Sequence, residues 1–145
     1  MYRRVLVPLD GSKVAEGVLP HAKALAYGEG AEIVLLSVAE NPVREFSFAD
    51  PAIAESVVQA MELRTRKYVA EVEAQLKKDG FNASSVVQAG AAADVILRVA
   101  EETRADVIAM STNGRTGAAR WLIGSVADRV ARNSKVPVML IRARA

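Results

Sequence analysis

The chain has 145 residues, no cysteine and a net charge of +2, with 25% charged and 5% aromatic residues. That length fits a single domain over 1–145, and the missing thiols exclude disulfides, thiolate metal sites and cysteine nucleophiles. Mixed charges without a basic stripe, scattered aromatics and no apolar run near the ~18 residues of a spanning helix argue against nucleic acid and membrane as partners.

The elements alternate along the chain. Arg3 to Leu9 reads as a first strand centred on Val5-Leu6-Val7. Ser12 caps a helix with Val14, Val18, Leu19, Ala22 and Leu25 on one face, ended by Gly28 and Gly30. Ile33 to Val38 is a second strand. Both strands are apolar on consecutive residues, which indicates a parallel sheet covered on both faces. Residues 40–49 form a loop. Asp50-Pro51 is an N-cap followed by a first helical position, and the helix runs to Asp79, with a break near Leu63 admitted by its length. Ser85 to Gln88 is a third strand, Ala92 to Thr103 a helix and Asp106 to Met110 a fourth strand. Ser125 to Asn133 is the last helix. Val136 to Ile141 is a fifth strand with Pro137 near its start. Five strands and four helices in alternation define an α/β, doubly wound, Rossmann-like domain with a five-stranded parallel sheet. The order 3-2-1-4-5 brings the loops after strands one and four into one crevice.

Those two loops carry the polar residues. After strand one comes Pro8-Leu9-Asp10-Gly11-Ser12. After strand four, Met110 leads into Ser111-Thr112-Asn113-Gly114-Arg115-Thr116-Gly117, and Gly124-Ser125-Val126 opens the last helix. Glycines admit a close approach of backbone N–H groups to an anion, hydroxyls add donors, and the helix N-terminus adds partial positive charge. Asp10 is the candidate for a divalent cation or a ribose hydroxyl, and otherwise a helix-capping aspartate. Ser125 is a phosphate donor or a plain N-cap. Neither Gly-x4-Gly-Lys-[Ser/Thr] nor Gly-x-Gly-x-x-Gly after the first strand is present. His21, the only histidine, falls in the first helix away from these loops, so a histidine triad or histidine-based metal site is not expected. Trp121, inside the glycine loop, is expected to pack against the domain or a partner.

These residues resemble the universal stress protein family over the whole chain. Its nucleotide-binding branch carries Gly-x2-Gly-x9-Gly-[Ser/Thr]; here Ser111, Gly114 and Gly124-Ser125 stand at that spacing, with serine in place of the first glycine. Val5 to Ser12 looks like the family's opening, and Leu35-Leu36-Ser37-Val38 sits where it has Leu-x-His-Val. The resemblance implies an adenine nucleotide, ATP, with Asp10 at the ATP site; Asp10 facing the glycine loop is the expected ligand for an accompanying Mg2+ or Mn2+. The resemblance further implies adenine against the backbone of Val38, and ribose and phosphates on the loop positions Ser111, Gly114, Gly124 and Ser125. It also implies a homodimer and a role in stress responses. An edge strand as apolar as Val136 to Ile141 invites pairing with a second copy.

The expected function is therefore an ATP-binding stress or signalling module of the cytoplasm without efficient catalysis, since no general base stands near the loops. A slow ATPase or nucleotide-transferring enzyme, and a dimeric interaction protein with a degenerate nucleotide site, are the alternatives. Ser111→Gly restores the family pattern and is expected to keep or raise affinity.

Overall fold

The computed structural model describes residues 2–39, 50–113 and 123–142. Its strands are β1 (Arg4–Leu9), β2 (Glu32–Ala39), β3 (Asn82–Ala89), β4 (Val107–Ser111) and β5 (Val138–Ile141). All neighbours pair in parallel in the order β3-β2-β1-β4-β5. The helices are α1 (Lys13–Glu16), α2 (Leu19–Leu25), α3 (Pro51–Lys78), α4 (Ala92–Glu102) and α5 (Ser125–Asn133).

The consecutive apolar residues of the central strands do face both sides. Val5, Val7 and Leu9 of β1 pack with Ile33 and Leu35 beneath α1, α2 and α3. Leu6 packs with Val34, Leu36, Ile108 and Met110 beneath α4 and α5. One α/β domain with helices on both faces results. The chain winds outward through β2 and β3, then returns to place β4 on the other side of β1. The carboxyl ends of β1 and β4 are thus the switch point where such sheets open a crevice. At the opposite edge, the Asp106 carboxylate accepts from the backbone N–H groups of Arg3 and Arg4, both at 2.8 Å, and so fixes where β1 and β4 start together.

Three expectations need correction. The single helix after β1 is two, which makes five helical segments among the described residues rather than four helices. Pro20 has no N–H to donate, and its ring would meet the carbonyl of Glu16, so the chain restarts at Val18–Leu19. The long helix is unbroken, and Leu63 lies within it. Finally, β5 begins at Val138; Val136 and Pro137 precede it, although the Pro137 carbonyl still accepts from Ile108 N at 3.0 Å. Met139 of β5 is 37% exposed and its neighbours are half-buried, as an edge strand leaves them.

Candidate functional site

At the end of β1 the chain makes a tight turn held by its own aspartate. Asp10 Oδ1 accepts from Ser12 N at 2.9 Å and from Ser12 Oγ at 2.5 Å. Between them Gly11 adopts φ +88°, a left-handed conformation that glycine takes without strain. The helix cap is Ser12, whose Oγ accepts from Ala15 N at 3.1 Å, so Asp10 is not the capping residue. The buried Ser37 Oγ donates to the Leu9 carbonyl at 3.0 Å and anchors the turn to β2. Nothing in the sequence pointed to that contact; the only hint was a polar residue in an otherwise apolar strand.

The end of β4 is organised by short-range bonds. Ser111 is still in the strand, opposite Ile141, and the only non-glycine with positive φ among the described residues is Arg104. Serine at the first motif position is therefore unstrained. Its hydroxyl donates to the Asn113 carbonyl at 2.9 Å within a buried environment. That bond reverses the expectation for Ser111→Gly. Losing it frees the loop, so nucleotide affinity is expected to fall by about three- to tenfold, in line with ~1 kcal/mol for a buried hydrogen bond. A titration of that variant giving wild-type or tighter binding would contradict this.

The two ends of the glycine loop meet directly. Gly124 N donates to the Thr112 carbonyl at 2.7 Å, and Thr112 N donates to Ile141 O at 2.9 Å. Gly124 is the N-cap of α5, with φ −61° and ψ 155°, angles open to any residue. Glycine is favoured there by space: a Cβ would sit 3.0 Å from the Thr112 carbonyl oxygen, a tight contact that the backbone must relieve. Ser125 is the first residue of α5 rather than its cap, and the cap position, held by Gly124, supplies no side-chain bond. The first residues of α5 line the crevice, which puts the positive end of the helix dipole there. The expected site residues Gly114, Arg115 and Gly117, and Trp121 beside them, lie outside the described residues.

A cavity of about 430 Å³ occupies the switch point. Of the residues expected from the sequence it is lined by Pro8, Leu9 and Asp10 from the first turn and by Val38 at the end of β2. Met110, Ser111, Thr112 and Asn113 line it from β4 and its loop, and Gly124, Ser125 and Val126 from the start of α5. Gly11 and Ser12 do not line it and act by shaping the Asp10 turn. Sequence reasoning missed a fourth wall, made by Val58, Met61, Glu62 and Thr65 of α3, and a contribution from Ala92 and Ile96 of α4. Asp10 and Glu62 are the only ionisable residues among its described lining. No three acidic or histidine side chains gather as a metal site among the described residues. His21 is exposed on α2. Next to the cavity the Tyr68 hydroxyl oxygen of α3 is buried. Burial first, then the charges of Glu16 and Asp10, push its pKa up, so the phenol stays neutral beside the site.

Sheet order, crevice and loop geometry together define an α/β protein with a cleft at its topological switch point. The model of the universal stress protein family matches residues 1–142, and the chain belongs to that family. A universal stress protein of Methanothermobacter thermautotrophicus is 31% identical over 146 residues, covering 98% of this chain and 97% of its own. The solved structure of MJ0577, a universal stress protein of Methanocaldococcus jannaschii, superposes with a TM-score of 0.89 at 26% identity, covering 99% of this chain and 98% of its own. A family protein of Arabidopsis thaliana, solved with AMP bound, superposes with a TM-score of 0.66 at 17% identity, over 98% of this chain and 92% of its own.

Proposed function

We propose that the protein is a nucleotide-responsive stress or signalling module that binds ATP with Mg2+ or Mn2+ in the switch-point cavity. The observation that carries this reading is the convergence of three features on that cavity. They are the N-terminus of α5 behind Gly124, the Asp10 turn, and the apolar floor around Val38. Its volume of about 430 Å³ falls within the usual range for small-molecule sites. The residues suit the ligand. The backbone N–H groups opening α5, with the Ser125 hydroxyl, would hold phosphate. Val38 would offer its backbone to the edge of the base. Asp10 supplies a carboxylate at the cavity wall, which suits a cation such as Mg2+ that is bound by one or two carboxylates and completed by phosphate oxygens. Gly114, Arg115 and Gly117 are assigned to the phosphates on the motif spacing alone. The AMP-bound Arabidopsis relative supports the class of ligand.

Rapid turnover is not part of this reading. A general base must reach the attacking water. The only carboxylates at the described cavity wall are Asp10, engaged with Ser12, and Glu62, paired with Arg66 at 3.2 Å. Hydrolysis far below the median enzyme rate of about 10 per second is expected. The absence of cysteine and of any helix among the described residues able to cross a membrane are compatible with the cytoplasmic setting we assign.

We also propose a homodimer through β5. Among the described residues β5 is an edge, and it presents the 37% exposed Met139. Pairing with a second copy about a two-fold axis would satisfy that edge and cover that side chain. Sedimentation velocity at micromolar concentration should show a dimer, and Met139→Lys should weaken it by about tenfold or more. A wild-type species near 15.5 kDa alone would refute the dimer.

A further inference from the structure

α3 is longer than the sheet it covers. Its 28 residues span about 42 Å at 1.5 Å per residue. β2 and β3, the strands beneath it, have eight residues each, about 26 Å at 3.3 Å per residue. As the crossover between parallel strands, α3 starts at the carboxyl edge, so its excess of roughly 15 Å, about three turns, overhangs the cavity. The burial pattern agrees. Its buried residues, Val69, Val72 and Leu76, all lie in the C-terminal third, over the sheet.

The core-facing stripe does not stop where the sheet does. Counting back at helical spacing from Val69 gives Thr65, Met61 with Glu62, and Val58, and these four line the cavity. Thr65 Oγ1 donates to the Met61 carbonyl at 2.9 Å, so its hydroxyl is engaged within the helix. Val58 and Met61 therefore offer apolar surface with no strand beneath it, and Met61 is 40% exposed. Across the cavity Ala92 and Ile96 of α4 supply a second apolar wall. Leu63 is on the far side of α3, 70% exposed, and is not part of the lining.

We propose that the first three turns of α3, through Met61, cover the nucleobase, with Val58 and Met61 as binding residues, and that the bound base takes the place of the missing strand beneath them. Nucleotide occupancy then sets the stability of this stretch, which has few buried apolar contacts of its own and an exposed Glu62–Arg66 pair that adds little. The inference rests on the nucleotide-binding reading above and gives occupancy a physical output: a helix surface that stiffens when the site fills.

Amide hydrogen exchange on the full-length protein, with and without saturating ATP and Mg2+, is the test. Exchange over residues 52–65 should slow by about tenfold or more, while residues 69–78, already packed on the sheet, change little. Met61→Gln, which keeps length and helix propensity but puts an amide against the base, should lower ATP affinity by about fivefold or more, and Leu63→Gln should leave it within about twofold. If ATP binds but residues 52–65 gain no protection and Met61→Gln binds like wild type, this inference is overturned and the nucleotide site stands. If wild-type protein binds no ATP, both fall.

Discussion

Replacing Gly124 with valine is expected to abolish nucleotide binding while the sheet stays folded. The backbone angles at Gly124 suit valine, so the effect comes from space. A Cβ would stand 3.0 Å from the Thr112 carbonyl oxygen, a backbone atom that cannot swing aside, and 3.6 Å from Asn113 Oδ1. The same carbonyl accepts the 2.7 Å bond from Gly124 N. Adding two methyl groups must separate the start of α5 from the end of β4, and with it the N–H groups assigned to phosphate. A loss beyond about 100-fold, ~2.7 kcal/mol, is expected by calorimetry. Circular dichroism should remain that of wild type, because the core of α5, Ala127 and Val130, lies further along the helix. Wild-type affinity in this variant would remove the glycine loop from the binding site.

The second large effect is expected from Asp10→Asn, and it separates charge from architecture. The Asp10 carboxylate holds Ser12 N and Ser12 Oγ through one oxygen. An asparagine can present its amide oxygen at that position, so the turn and the cap of α1 survive. What is lost is the negative charge, and with it an inner-sphere oxygen ligand for a hard cation. Stabilisation of ATP binding by Mg2+ should therefore fall by about tenfold or more, ~1.4 kcal/mol, with a thermal midpoint close to wild type. Asp10→Ala should be worse on both counts, since it also unties Ser12. If ATP affinity in Asp10→Asn responds to Mg2+ as in wild type, Asp10 is not the cation ligand.

The parts of the molecule that follow from local chemistry were legible in the sequence. Consecutive apolar residues in Val5–Val7 and Ile33–Leu36 imply strands buried on both faces, and crossover rules then leave few sheet orders, among them the observed one. Asp50-Pro51 marked the start of α3, with Asp50 Oδ1 accepting from Ala52 N at 2.9 Å. Features that depend on where elements end relative to one another were not legible. Val58 and Met61 belong to the same apolar stripe as Val69 and Leu76, and only the length of the sheet shows that one pair faces a cavity and the other the core. The Ser37 bond to Leu9 joins residues in different strands, beyond any local pattern. At Gly124 the expected need for special backbone angles is not met, since φ −61° and ψ 155° are open to any residue; the crowding against the Thr112 carbonyl depends on how closely the loop folds back. The break at Val18 was available in the sequence, because Pro20 marks it.

Isothermal titration of the native protein with ATP and Mg2+ at near-physiological salt tests the central claim most directly. The account predicts saturable binding at one site per chain with a Kd below about 1 mM, about −4 kcal/mol or stronger, a preference for adenine over guanine nucleotides, and no detectable heat for Gly124→Val. An absence of heat with wild-type protein, together with failure of millimolar ATP to compete with any labelled adenine nucleotide, would contradict it.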